Sequence, residues 1–223
     1  MEVNEVINYL IDKHNYKSYL EIGVWQGKTF EQINIENKES CDVSDIYWYL
    51  DIPITYLMTS DEMFAKMPID KKYDIIFIDG LHTEEQLDRD IINALKHLNP
   101  EGLILCHDVL PLDYFTTTEM SNTGNWMGTC WKSITKLQDQ NISYYTTSIS
   151  YYGLTIIKYH DNPYQLHYPN YKSNIQFEYV FNNIFKLDDS YLNYAHWEEC
   201  LNMTDQGKYI MHYVTDEEFY NLF

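Results

Sequence analysis

The stretch that most constrains the fold runs from Tyr73 to Pro111. Two short apolar runs, Ile75 to Ile78 and Leu103 to Cys106, each end in a polar cluster, Asp79-Gly80-Leu81-His82 and His107-Asp108. Between them Leu87, Ile91, Ala94, Leu95 and Leu98 recur at the spacing of one helix face. A strand, helix and strand of this length make a right-handed crossover between parallel strands, so both polar clusters should emerge at the same sheet edge. Ligands bind outside the carboxyl edge of an open α/β sheet. That edge is therefore the expected working face.

Upstream, Val3, Val6, Ile7, Leu10 and Ile11 predict an amphipathic first helix ending near His14. Strands are expected at Ser18 to Ile22, Glu39 to Asp42, Ile54 to Met58 and Asp74 to Ile78, with a short helix around Lys28 to Ile33. Ser60-Asp61-Glu62-Met63 reads as a helix start. Thr83 and Gln86 have capping-box spacing, and Asn99-Pro100-Glu101-Gly102 reads as a turn. Glu84, Glu85, Asp88 and Asp90 are expected to form a solvated charge run. Strands alternating with helices in this rhythm predict an α/β, doubly wound, mostly parallel sheet.

After Pro111 the pattern changes. Leu112 to Gly128 reads as a long polar loop, Thr129 to Leu137 as a helix, and Ile142 to Thr147 and Leu154 to Tyr159 as strands joined near Gly153. Asp161 to Tyr171 reads as a linker or wrapping arm. Helical spacing returns at Phe177, Val180, Phe181, Ile184 and Leu187, and again near Asp216 to Phe223. The expected organisation is one domain over 1–160 and a helical C-terminal extension over 161–223.

Fifteen basic residues stand against 34 acidic ones, a formal net charge of -19. Such a field repels phosphate backbones and anionic lipid, so neither nucleic acid nor membrane is expected as a partner. No apolar run is long enough to span a bilayer, and no targeting segment is visible at the start. The cysteines are widely spaced and form no CxxC pair, which fits a reduced, cytoplasmic setting.

Glu21-Ile22-Gly23-Val24-Trp25-Gln26-Gly27 follows a strand and opens a helix. Glycines there let backbone approach a ligand closely. Asp42 ends the next strand, about twenty residues on, where an acid can bond ribose hydroxyls. A dinucleotide fingerprint would want glycine where Trp25 stands, which weighs against an NAD-dependent oxidoreductase and favours an adenosyl ligand without phosphates. The same loop also has a purely structural reading as a turn.

EIGVWQG, the acid at Asp42, SDEMF, FIDGLHT and CHDVLP, in this order, resemble class I S-adenosylmethionine-dependent methyltransferases. FIDGLH followed by HDVLP is similar to a family of small members, related to metal-dependent O-methyltransferases, and the likeness extends over roughly Tyr19 to Lys158. The resemblance implies a Rossmann-like sheet of seven strands whose last strand is antiparallel. It implies S-adenosylmethionine as cofactor, with Glu21, Gly23, Trp25 and Gly27 at its methionine part. Asp42 would hold the ribose, Ser60 and Asp61 would lie by the adenine, and Asp79 would face the sulfonium or a metal. Relatives that methylate catechol or sugar hydroxyls carry a divalent cation on residues at the positions of Asp79, His107 and Asp108.

His82, His107 and Asp108 are thus the candidate catalytic group. His82 either takes the proton of an acceptor hydroxyl or merely caps and packs its loop. The function implied is O-methylation of a small molecule or sugar. The alternative is an inactive scaffold of the same fold. A homo-oligomer is compatible with either.

Overall fold

The computed structural model describes residues 2–110, 116, 126–137, 142–150, 152–158, 204–205, 208–209 and 211–223. Helix α1 (Val3–His14) buries Val6, Ile7, Leu10 and Ile11, each worth about 1.5–3 kcal/mol when removed from water. It stops at Asn15, a left-handed cap. The chain then forms β1 (Ser18–Ile22), α2 (Lys28–Glu31), β2 (Asn37–Asp42), β3 (Tyr56–Leu57) and α3 (Ser60–Lys66). Next come β4 (Tyr73–Ile78), α4 (Glu84–Lys96), β5 (Leu98–His107) and α5 (Cys130–Leu137). Strands β6 (Tyr144–Thr147) and β7 (Leu154–Lys158) complete the main sheet. A small ladder, β8 (Thr204–Asp205) with β9 (Lys208–Tyr209), and α6 (Asp216–Leu222) follow.

The seven-stranded sheet has the order β3-β2-β1-β4-β5-β7-β6. Strands β1 to β5 are parallel, and β7 runs antiparallel to both β5 and β6. This is the Rossmann-like sheet with an antiparallel last strand expected from the sequence. Alternation along each strand splits the core in two. Leu20, Ile22, Ile76, Ile78 and Ile104 face α3, α4 and α5, whereas Tyr19, Ile75, Phe77 and Leu105 face α1 and α6. The C-terminal residues join the second layer. Val214 N–H donates to the Thr146 carbonyl, and Phe219 and Phe223 are buried there. The expected linker at 161–171, the helical spacing at 177–187 and most of the loop at 112–128 lie outside the described residues.

Several local expectations need correction. Asn99 to Gly102 lies within β5 rather than forming a separate turn. Tyr73 pairs with Leu98, the register shifts, and pairing resumes at Ile75 with Leu103. Glu101 absorbs the irregularity at φ 65. Helix α3 is capped one residue earlier than its sequence suggests, because Thr59 forms a reciprocal capping box with Glu62. Thr83 occupies the N-cap of α4 but its side chain caps nothing. The Glu84 N–H donates instead to Thr129 Oγ1 at 2.7 Å, from a distant segment. Finally, Asp88 and Asp90 are buried, not solvated.

Candidate active site

After β1 the chain steps outward to β2 and β3, then returns to place β4 on the other side of β1. The connections after β1 and β4 consequently lead away in opposite directions at the carboxyl edge, and a cleft of about 340 Å³ opens there. Gly23, Asp42, Ser60 and Asp79 line it, as do Val43 and Met58. Gly23 sits at φ +84, and a Cβ there would lie 2.1 Å from the Asp79 carbonyl oxygen. Only a glycine lets these two loops touch.

The Asp42 carboxylate is held in place by two backbone donors, Trp25 N–H at 2.8 Å and Ser44 N–H at 3.2 Å. Trp25 itself is at φ 43 and is 58% exposed, with its ring 6.0 Å from that of Tyr47. Gly27, also left-handed, opens α2. Glu21 lies beneath the cleft, buried, and accepts a 2.5 Å hydrogen bond from the Tyr19 hydroxyl. Burial pushes its carboxyl up to about 8, against the opposing pull of that bond. Asp61 turns away to an ion pair with Arg89 at 3.1 Å and is not among the residues lining the cleft.

Asp79 is shared between the cleft and a second cluster. His82 Nε2 lies 3.4 Å from Asp79 Oδ1, and His82 Nδ1 lies 3.3 Å from Asp108 Oδ2. His107 Nδ1 lies 3.4 Å from Asp79 Oδ1 and 3.3 Å from Asp108 Oδ1. Asp108 closes β5 in the left-handed region at φ 57, a conformation held by its surroundings. Its carboxyl is pushed up to about 6 by burial and by the Asp79 charge. Burial also opposes ionisation of Asp79, but His107 and His82 outweigh it and hold that carboxyl well below the usual range. Burial disfavours the charged His82 ring too, yet Asp79 and Asp108 raise it to about 9. His107 is likewise raised by Asp79 and Asp108 against its burial.

Residues from beyond position 125 hold these rings. The Trp126 carbonyl accepts from His82 Nδ1 at 3.0 Å, which fixes the imidazole orientation, and the indole stacks on it at 5.2 Å. Gly128, at φ +63, presses against the His82 carbonyl, which accepts the Thr129 N–H at 3.0 Å. Ser150 Oγ lies 3.1 Å from His107 Nε2 and leaves the other ring nitrogen facing the acids. These partners join from beyond residue 125, so no local spacing announced them.

A divalent cation fits this donor set. Ligand atoms of Asp79, His82 and Asp108 lie within 4.8 Å of one another. Asp108 Oδ1 and His107 Nδ1 are buried without a hydrogen-bond partner. The third member of this group is His82, and His107, to which the sequence pointed, stands beside it with Nδ1 3.4 Å from Asp79 and 3.3 Å from Asp108. Mixed carboxylate and imidazole donors suit manganese, iron or zinc better than magnesium.

Residues 51–109 match the profile of a family described as a methyltransferase domain. The O-methyltransferase from Bacillus cereus, in complex with SAH, superposes with a TM-score of 0.50 at 14% identity, covering 70% of this chain and 80% of that one. A candidate caffeoyl-CoA O-methyltransferase from Staphylococcus aureus gives 0.52 at 19% identity, covering 70% and 82%. The SAH-bound Podospora anserina methyltransferase PaMTH1 gives 0.50 at 14% identity, covering 71% and 78%. No curated protein gives a significant sequence match. The fold is that of the class I methyltransferases. Within it, β3 through the end of β5 carries the methyltransferase-domain signature.

Proposed function

We propose that the protein is an S-adenosylmethionine-dependent methyltransferase that acts on a hydroxyl of a small molecule, sugars included. The observation that carries this reading is Asp79, one wall of the cleft at the sheet's switch point and equally a member of the His82, His107 and Asp108 cluster. A donor bound in the cleft and an acceptor bound over the cluster would meet at that residue.

In this reading Asp42, already oriented by two backbone donors, accepts the ribose hydroxyls. Gly23 brings backbone close to the methionine part, above Glu21. His82 bonds the acceptor oxygen and receives its proton as the oxygen attacks the methyl carbon in line. Its ring carries a proton at neutral pH because two carboxylates flank it, so the form that can receive one grows as pH rises toward 9. Asp79 and Asp108 would hold a divalent cation together with His107 Nδ1, which faces both acids, so that His82 Nε2 stays free to take the proton. Such a cation supplies Lewis acidity that lowers the acceptor hydroxyl's pKa.

Titration calorimetry with S-adenosylhomocysteine is the direct test. Saturable binding by the wild type, severely weakened in Asp42→Ala, is the expected result, and no heat with either donor or product would end the proposal. Labelled-methyl screening of hydroxyl acceptors then separates an enzyme from a scaffold. Binding without transfer to any acceptor, unchanged by His82→Ala, would favour the scaffold.

A further inference from the structure

Deep in the cleft, on the side of α3 and α4, a buried carboxylate has no role in the mechanism above. Asp90 is 1% exposed and yet lines the cleft. Among the described residues no basic side chain forms an ion pair with it, since its neighbour Arg89 is engaged with Asp61. Its partners are the Ser60 hydroxyl and the Gln86 amide. Gln86 Nε2 donates to Asp90 Oδ1 at 3.1 Å and to Ser60 Oγ at 3.1 Å. The amide is held in that sense because Arg89 Nη2 donates to its oxygen. Gln86, Ser60 and Asp90 therefore form a fixed polar wall, with apolar Val43, Met58 and Leu81 lining the same cleft.

We infer that Asp90 selects the base of the cofactor, its carboxylate accepting a hydrogen bond from the exocyclic amine of a 6-aminopurine. The inference rests on the methyltransferase reading. Three physical features carry it. A buried carboxylate without a basic partner needs N–H or O–H donors, and the Ser60 hydroxyl and the fixed amide fill only about half of its acceptor sites. Its oxygens can accept but not donate, so a 6-oxopurine would bring its carbonyl against a negative group. The apolar lining suits a flat ring and leaves discrimination to the polar wall. The sequence assigned adenine contact to Ser60 and Asp61. Ser60 stands in this wall, and Asp90, from the next helix, takes the acidic role that Asp61 gives up to Arg89.

The test compares S-adenosylhomocysteine with S-inosylhomocysteine by calorimetry, on wild type, Asp90→Asn and Asp61→Asn. A hydrogen bond to a charged group corresponds to roughly tenfold to a hundredfold in affinity, so the wild type should prefer the adenosyl compound by at least about tenfold. Asparagine can donate to a 6-oxo group, and Asp90→Asn should collapse or invert that preference. Equal wild-type affinity for the two compounds overturns the inference without any variant and leaves the methyltransferase reading standing. So does an unchanged preference in a folded Asp90→Asn, or a loss in Asp61→Asn as large as in Asp90→Asn. Failure of the wild type to bind either compound overturns both.

Discussion

Replacing Glu21 by glutamine should make the protein more stable as the solution is made more alkaline. Glu21 is buried beside Tyr19, and its carboxyl ionises at about 8 in the folded chain against an ordinary 4.5. The unfolded chain therefore gives up this proton from about pH 4.5 upward while the folded chain keeps it. The stability that Glu21 contributes is fully present below 4.5, falls steadily between 4.5 and about 8, and is constant above. At about 1.4 kcal/mol per pH unit, the interval from 4.5 to about 8 amounts to on the order of 5 kcal/mol, a large share of an ordinary domain's total. Glutamine keeps the shape and an oxygen to accept the Tyr19 hydroxyl, and removes the titration. Urea unfolding of both proteins at half-unit steps from pH 5 to 8.5 is the assay. The stability difference should grow in favour of Glu21→Gln by several kcal/mol across that window and then level off. Because Asp90 and Asp108 titrate alike in both proteins, they cancel in the difference. Parallel curves would refute the reasoning, since they would mean that Glu21 ionises at its ordinary pH and is reached by water.

Gly23→Ala places a methyl group against the Asp79 carbonyl at a positive φ, so the melting temperature should drop by the equivalent of at least about 2 kcal/mol, with S-adenosylhomocysteine binding lost in calorimetry. Thr129→Val removes the oxygen that accepts the Glu84 N–H, and chemical unfolding should show a cost of about 1 kcal/mol, the size of a helix-cap deletion. Manganese or zinc at a hundredfold excess over its dissociation constant should raise thermal stability by about 2.7 kcal/mol, an effect that Asp108→Asn should abolish.

The sheet edge was legible because it depends on local pattern. The apolar runs ending at Ile78 and Cys106 and the helix between them predict parallel neighbours, and Ile78 pairs with Cys106 in the register of β4 on β5. Gly23 and Asp42 were legible for the same reason, as loop and strand end on consecutive units. What escaped was decided by distant chain. Thr83 has capping-box spacing to Gln86, but Arg89 captures the Gln86 oxygen and Thr129 supplies the cap. Asp90 follows Gln86 by four residues and precedes Ala94 by four, at the flank of the apolar stripe. That position was a sign of burial, overlooked because four acids in one helix start suggested a solvated face. His82 acquires its orientation from Trp126 and Gly128, whose pairing with it no periodicity encodes.

The contact between Gly23 and the Asp79 carbonyl ties the loops after β1 and β4 together in the wall of the cleft, backbone against backbone. Since Gly23 brings no side chain to that contact, nothing there can be trimmed, and any enlargement meets the Asp79 carbonyl. Under the proposed function, substitutions in the segments around Trp126 and Ser150 would re-tailor which hydroxyl is admitted while the join between these two loops stays as it is. Efforts to redirect the protein toward new acceptors have a natural division of labour, with the loops after β1 and β4 kept as a fixed jig and the later segments treated as the interchangeable part.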